Sequence, residues 1–260
     1  MLKFSANLGL LWAELPLPER IRAAKEAGFD AVELHFPYEE SREALKAALA
    51  ETGLPLLGIN TRPGRAGEFG LSALPGRGAE ARAAIDEAVE WAADLGGRAV
   101  HVMAGVPSHE MPVRRCREAF ARLLAYAAGR CGEKGLTAVI EPINTRDVPG
   151  YFLSTSAIAE RFLDMVASEH LKMQFDCYHA QIMEGDVTRR IERLMPKIGH
   201  IQVAAVPSRA EPDEGELSYE RLLPAIEAAG YKGYIGAEYR PRGKVEAGLS
   251  WLAAYRASCR

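Results

Sequence analysis

Eight short apolar runs recur along the chain, separated by segments in which apolar residues return every three or four positions. The runs are FSANLG from Phe4, AVELHF from Ala31, LPLLGIN from Leu54, RAVHVMAG from Arg98, LTAVIEP from Leu136, LKMQFD from Leu171, IGHIQVA from Ile198 and GYIGAEY from Gly233. Their length and flanking turn residues predict strands. Between them, Ile85, Val89, Ala92 and Leu95 fall on one helical face, as do Cys116, Phe120, Leu123, Leu124 and Ala127. Ser41, the Ser154–Thr155 pair and Ser218 mark helix starts. Each helix is expected to end at a glycine, as in EAGFDAVEL, ADLGGRAV, EKGLTAVI and AAGYKGYIGAE, because glycine accepts the left-handed conformation of a C-cap. A strand followed by a helix eight times over predicts an α/β fold, a closed (β/α)8 TIM barrel spanning residues 1–260 as one catalytic domain.

Two interruptions stand out against this regularity. One is the stretch TRPGRAGEFGLSALPGRG, ending at Gly78, and the other is PSRAEPDEGEL after the seventh run. Long loops after barrel strands lie on the catalytic face, so both are lid candidates.

Composition narrows the function classes. The 260 residues are 48% hydrophobic, enough for a large core, and the net charge of −3 supplies no basic stripe for nucleic acid and no polybasic patch for a membrane surface. The N-terminal MLKFSANLGL is interrupted by Ser5 and Asn7 and does not read as a secretion signal. Cys116, Cys131, Cys177 and Cys259 lack paired spacing and read as reduced thiols of a cytoplasmic protein.

The chemistry sits at the strand ends, where barrel active sites are built. Glu141, Asp176, Gln202 and Glu238 close or follow the fifth to eighth runs. Any one of them is as readily a satisfied loop acid or amide as a ligand. Four in consecutive strand ends need a shared counter-ion, because buried carboxylates without partners are costly. Oxygen donors of this kind suit Mg2+ or Mn2+ better than a structural zinc. The expected metal ligands are therefore Glu141, Asp176, Gln202 and Glu238. No GxGxxG follows the first run, so neither a nicotinamide nor a flavin is expected.

The segments VIEPINTRDVPGYF, QFDCYHAQ, GHIQVAAVPSRAEPDEGEL and GYIGAEYRP resemble those of the hydroxypyruvate isomerase family of xylose-isomerase-like barrels, and VELHFPYE, GEFGLSALPGR and MAG extend the likeness to the first half. The Gln of HIQ is similar to that family, whereas sugar epimerase relatives usually place His there. The loop GINTRPGRAGEFG, where relatives show an FNLP-like stretch, and Ala205, where they commonly carry an aspartate, depart from the family pattern. The resemblance implies a metal-dependent isomerase whose catalytic pair is Glu141 and Glu238. Its substrate would be a small hydroxy-keto acid, hydroxypyruvate or a four-carbon 2-oxo acid, and a homo-oligomer is compatible with it. One glutamate would remove the carbon proton and the other return it through an enediolate.

Four further residues are candidates for substrate contact: His179, three residues beyond Asp176; Arg209, a partner for the substrate carboxylate; and Asp147 and Glu68, which match family motifs. For Glu33, His35 and His101 the expected role is that of hydrogen-bonded interior polar groups. Asn7 and Asn60 end the first and third runs, and Trp12, Phe36 and Phe69 lie near the same face. The competing readings are a ketose 3-epimerase or 2-oxo-tetronate isomerase, a nuclease on the same barrel, and a non-catalytic small-molecule-binding barrel. The nuclease reading is disfavoured by six scattered histidines.

Overall fold

The computed structural model describes residues 1–258, so Cys259 lies outside the described residues. Each predicted run contributes a strand: β1 (Lys3–Asn7), β2 (Ala31–Glu33), β3 (Gly58–Asn60), β4 (Ala99–His101), β5 (Thr137–Ile140), β6 (Leu171–Asp176), β7 (Ile198–Val203) and β8 (Tyr234–Ala237). All pairings are parallel, in the order β2-β1-β8-β7-β6-β5-β4-β3. The ring is completed between β2 and β3 by a bridge of Val32 with Leu56 and by backbone bonds from Leu34 N to Gly58 O (3.0 Å) and from Leu57 N to Val32 O (2.9 Å).

The outer layer comprises α1 (Leu17–Glu26), α2 (Arg42–Thr52), α3 (Gly78–Asp94), α4 (Val113–Glu133), α5 (Ser156–Val166) and α8 (Tyr219–Ala228). Two short helices, α6 (Cys177–Met183) and α7 (Val187–Leu194), share the β6-to-β7 connection, and α9 (Ser250–Ser258) follows β8. The predicted faces are the ones buried: Ile85, Val89 and Ala92 of α3, and Cys116, Phe120, Leu123, Leu124 and Ala127 of α4. Cys116, Cys131 and Cys177 are buried free thiols.

The caps follow the sequence with two exceptions. Ser41 accepts a hydrogen bond from Ala44 N (3.2 Å) and Thr155 from Ile158 N (3.3 Å). Ser218 precedes α8, but its side chain makes no capping bond. Gly28, Gly96, Gly135 and Gly230 all take positive φ after their helices. Helix α5 instead ends on Ala167 at φ 49°, so the expected glycine is missing and an L side chain occupies the left-handed cap.

The register levels the inward-facing side chains. Ser5 pairs with Gly236, Gly236 with Gln202, and Gln202 with Asp176, which sets these four residues side by side around the barrel. The loop after β3 is shorter in reach than its length suggests. Gly70 bridges Ala104, and Val106 N donates to Glu68 O (2.9 Å), pinning the loop to the connection after β4. A Cβ on Gly70 would sit 2.5 Å from the Met103 carbonyl carbon, so the contact depends on glycine. Residues 63–69 are left over the mouth of the barrel.

Candidate functional site

A cavity of about 600 Å³ runs through the barrel, walled at the C-terminal strand ends by Glu33, His101, Glu141, Gln202, Arg209 and Glu238 and reaching Arg98, Thr137, Lys172 and Tyr234 at the opposite end. Phe36 and Phe69 stand at its mouth, 40% and 41% exposed. Trp12 is elsewhere: it is buried against Phe29, with its indole N–H bonded to Glu246 (2.6 Å).

The strand-end carboxylates and amide are all buried, and their hydrogen bonds differ in an informative way. Glu141, immediately after β5, accepts on Oε2 from Gln174 Nε2 (3.0 Å), while Oε1 has no partner. Asp176 ends β6 and caps α6: Oδ1 accepts from Tyr178 N (2.8 Å), and Oδ2 has no partner. Gln202 on β7 donates from Nε2 to Glu33 Oε2 (2.7 Å), and its carbonyl Oε1 has no partner. A buried unpaired acceptor costs about 1–3 kcal/mol, so three in one barrel end call for a common ligand. These oxygens fit a hard divalent cation by donor chemistry. Glu141, Asp176 and His179 offer ligand-type atoms within 4.8 Å of one another.

Glu238, just past β8, is placed differently. Its Oε1 accepts from Arg209 Nη2 (2.8 Å) and its Oε2 from Asn7 Nδ2 (3.1 Å), so both oxygens are engaged. Arg209 has φ 57°, stacks over Tyr178 and approaches Asp147 Oδ2 at 3.6 Å.

His179 lies beside two of the carboxylates. Its Nε2 is 3.6 Å from Asp176 Oδ2 and 3.8 Å from Glu141 Oε1. Its Nδ1 faces Asn144, whose backbone N–H donates to it at 3.3 Å. That bond assigns the neutral tautomer with hydrogen on Nε2, directed at the carboxylates, so the ring is a donor to the site.

Burial and mutual repulsion shift the acids upward. Burial, then the nearby Glu238 and Asp176, holds Glu141 well above the usual carboxylate range. Burial with Glu238 raises Asp176 to about 7. Burial raises Glu238 to about 7 as well, against the lowering effect of Arg209. Burial keeps His35 and His101 neutral, at about 4 and about 3.

The bland role expected of Glu33, His35 and His101 holds only in part. Glu33 is fully bonded, by Ser5 Oγ and Gln202 Nε2, with His200 Nε2 3.0 Å from its Oε1. His101 has no hydrogen bond on either ring nitrogen and lies 3.6 Å from Glu141 Oε2. Of the substrate candidates, His179 and Arg209 line the cavity. Asp147 is outside its wall, bonded to Tyr178 Oη (2.9 Å) and Asn144 Nδ2 (3.1 Å). Glu68 is also outside, binding Arg65 N (2.6 Å) and Arg77 (2.7 Å) within the β3 loop. Gln174 and His200 escape a reading confined to strand ends. Strand alternation would have found them, since each lies two residues before Asp176 or Gln202 and faces the same way.

The family model described as xylose isomerase-like TIM barrel matches residues 21–255. A curated 2-oxo-tetronate isomerase of Cupriavidus necator is 46% identical over 98% of this chain and 99% of its own. The hydroxypyruvate isomerase of Escherichia coli is 37% identical over 98% of this chain and 100% of its own. A crystal structure from Brucella melitensis described as an AP endonuclease, family 2, superposes with a TM-score of 0.95 at 42% identity, covering 98% of this chain and 99% of that one. The barrel, the strand-end acids and these matches agree: the chain belongs to the xylose isomerase-like TIM barrel family, in the group whose curated members are named hydroxypyruvate isomerase and 2-oxo-tetronate isomerase.

Proposed function

We propose that this protein is a divalent-metal-dependent isomerase of short 2-oxo hydroxy acids, interconverting hydroxypyruvate and tartronate semialdehyde or acting on the four-carbon 2-oxo-tetronate. The observation that carries the reading is the set of three buried, unpartnered oxygens on Glu141, Asp176 and Gln202 beside the engaged Glu238. Those four residues would hold Mg2+ or Mn2+. When bound, such an ion supplies Lewis-acid stabilisation of charge on substrate oxygen.

The chain's own residues account for the proton movements. Conversion of hydroxypyruvate requires a proton to leave C3 and one to arrive at C2, while the hydroxyl proton passes from O3 to O2 through an enediolate. Glu238, held at about 7, is poised as a base near neutral pH. Burial with the neighbouring Glu238 and Asp176 raises Glu141 well above the usual carboxylate range, which suits it to the complementary acid role. His179 presents Nε2–H to a substrate oxygen, and Arg209 offers its guanidinium to the carboxylate. The names of the relatives support the substrate class.

The test is isomerisation of both acids by protein stripped with chelator and then reloaded with Mn2+. Activity is expected only after reloading, and Glu141→Gln and Glu238→Gln are each expected to lower kcat by at least about 10²-fold without lowering Tm. Wild-type rates in both variants would refute the acid–base assignment. The nuclease description of the Brucella protein makes cleavage of abasic DNA the control, with none expected. Among the described residues, the group near enough to share an ion contains a single histidine, His179.

A further inference from the structure

Gln202 presents its carbonyl to the oxygen cluster only if its amide is held one way round. A carboxamide has two nearly isosteric ends, and a half-turn about its last bond would replace the acceptor with a donor. Glu33 decides the orientation: its Oε2 accepts from Gln202 Nε2 at 2.7 Å, and the reverse arrangement would set carbonyl oxygen against carboxylate oxygen.

Glu33 is itself fixed. Ser5 Oγ donates to its Oε1, and His200 Nε2 lies 3.0 Å from the same oxygen, an ion-pair contact and not an aligned hydrogen bond. The fold reserves space for this arrangement. Gly236 faces Gln202 on one side and Ser5 on the other, and a Cβ there would lie 2.5 Å from Glu33 Oε1, 2.7 Å from Gln202 Cγ and 2.9 Å from His200 Nε2.

We propose that Glu33, braced by Ser5 and His200 in the space left by Gly236, is a positioning residue that orients the Gln202 carboxamide so that its carbonyl faces the metal ligands Glu141 and Asp176. This rests on the metal reading above and extends it to residues outside the ligand set. Glu33 acts through geometry, so a carboxylate of the same charge set back by one methylene should not replace it.

Free Mn2+ counted by electron paramagnetic resonance, without substrate, measures the affinity independently of activity. Glu33→Asp and Glu33→Gln are each expected to weaken Mn2+ binding by about 10- to 100-fold, the usual range for residues that orient ligands. Gln202→Ala should do the same, and adding Glu33→Gln to it should cost no more than about a further twofold, since both changes remove one function. Thermal melts report folding; if Glu33→Gln does not fold, Glu33→Asp and Ser5→Ala carry the test, Ser5→Ala with a weakening of a few-fold. Wild-type protein that takes up no Mn2+ overturns the metal reading and this inference with it. Wild-type protein that binds Mn2+ while Glu33→Asp keeps its affinity, or losses that multiply in the double variant, overturns this inference alone.

Discussion

Arg209 is the residue where charge and geometry are most tightly joined. It reaches from the loop after β7 to Glu238 at 2.8 Å and is the main influence pulling that acid's pKa down against burial. On the proposed mechanism, replacing it with Gln would remove both a fork for the substrate carboxylate and a cation that favours the ionised form of Glu238. We predict that Arg209→Gln raises KM for hydroxypyruvate by more than about tenfold. It should also move the acidic limb of the kcat/KM profile to higher pH, because Glu238 then deprotonates later. Arg209→Lys should restore the limb but not KM, since an ammonium supplies charge without the planar fork. Measuring both profiles separates the two roles, and an unshifted limb in Arg209→Gln would refute the coupling. The quartet itself was legible in the sequence because each member terminates or follows a run. What the sequence concealed was partnership: nothing in VIEP or HIQ reveals that Glu141 and Gln202 each keep one oxygen unbonded, or that Glu68 is bound to Arg77 and not to the cavity.

Elements were readable wherever local chemistry decides them, and less so where tertiary contacts do. Seven strands fall within their predicted runs and β1 begins one residue early at Lys3, yet β2, β3 and β4 contain three residues each, because the chain bends into loops where apolar residues continue. The β3 loop shows the opposite: its length alone makes it a lid candidate, whereas Gly70 ties part of it down through a close contact with Met103 and Ala104. Helix ends offer a test of the cap argument with opposite signs at two sites. Ala167 holds φ 49° after α5, and Gly53 holds φ 64° after α2 with open space where a Cβ would project. An L residue in the left-handed region costs about 1 kcal/mol relative to glycine. Ala167→Gly should therefore raise Tm by about 2–4 °C and Gly53→Ala should lower it by a similar amount. Scanning calorimetry of the two variants checks this, and a fall in both would mean that packing outweighs the backbone conformation.

At the scale of the whole molecule, a modest charge of −3 hides a strong concentration of acid at one pole of the barrel, and pH makes that visible. Asp176 and Glu238 titrate near 7 in the fold, above their ordinary values of 3.8 and 4.5, so the native state binds more protons than the unfolded chain between about 4 and about 7. Metal-free stability contributed by these groups therefore falls as pH rises through that window. His35 and His101 act oppositely: folded values of about 4 and about 3 lie below the ordinary 6.5, so their contribution grows with pH up to 6.5. The two trends compete below 6.5, and only the decline continues above it, reinforced by His200, whose pKa is raised by Glu33 against its burial. On the proposed metal reading, a divalent ion would bind the ionised acids and have to displace protons at low pH. Protein in chelator should thus lose Tm between pH 6.5 and about 8. Mn2+ at about 100 times its Kd should add about 2.7 kcal/mol, or roughly 5–10 °C for a chain of this size. At a fixed Mn2+ concentration the shift should be larger at pH 8 than at pH 6, because fewer protons compete. A shift of equal size at both pH values would mean that Asp176 and Glu238 are not the groups the ion engages.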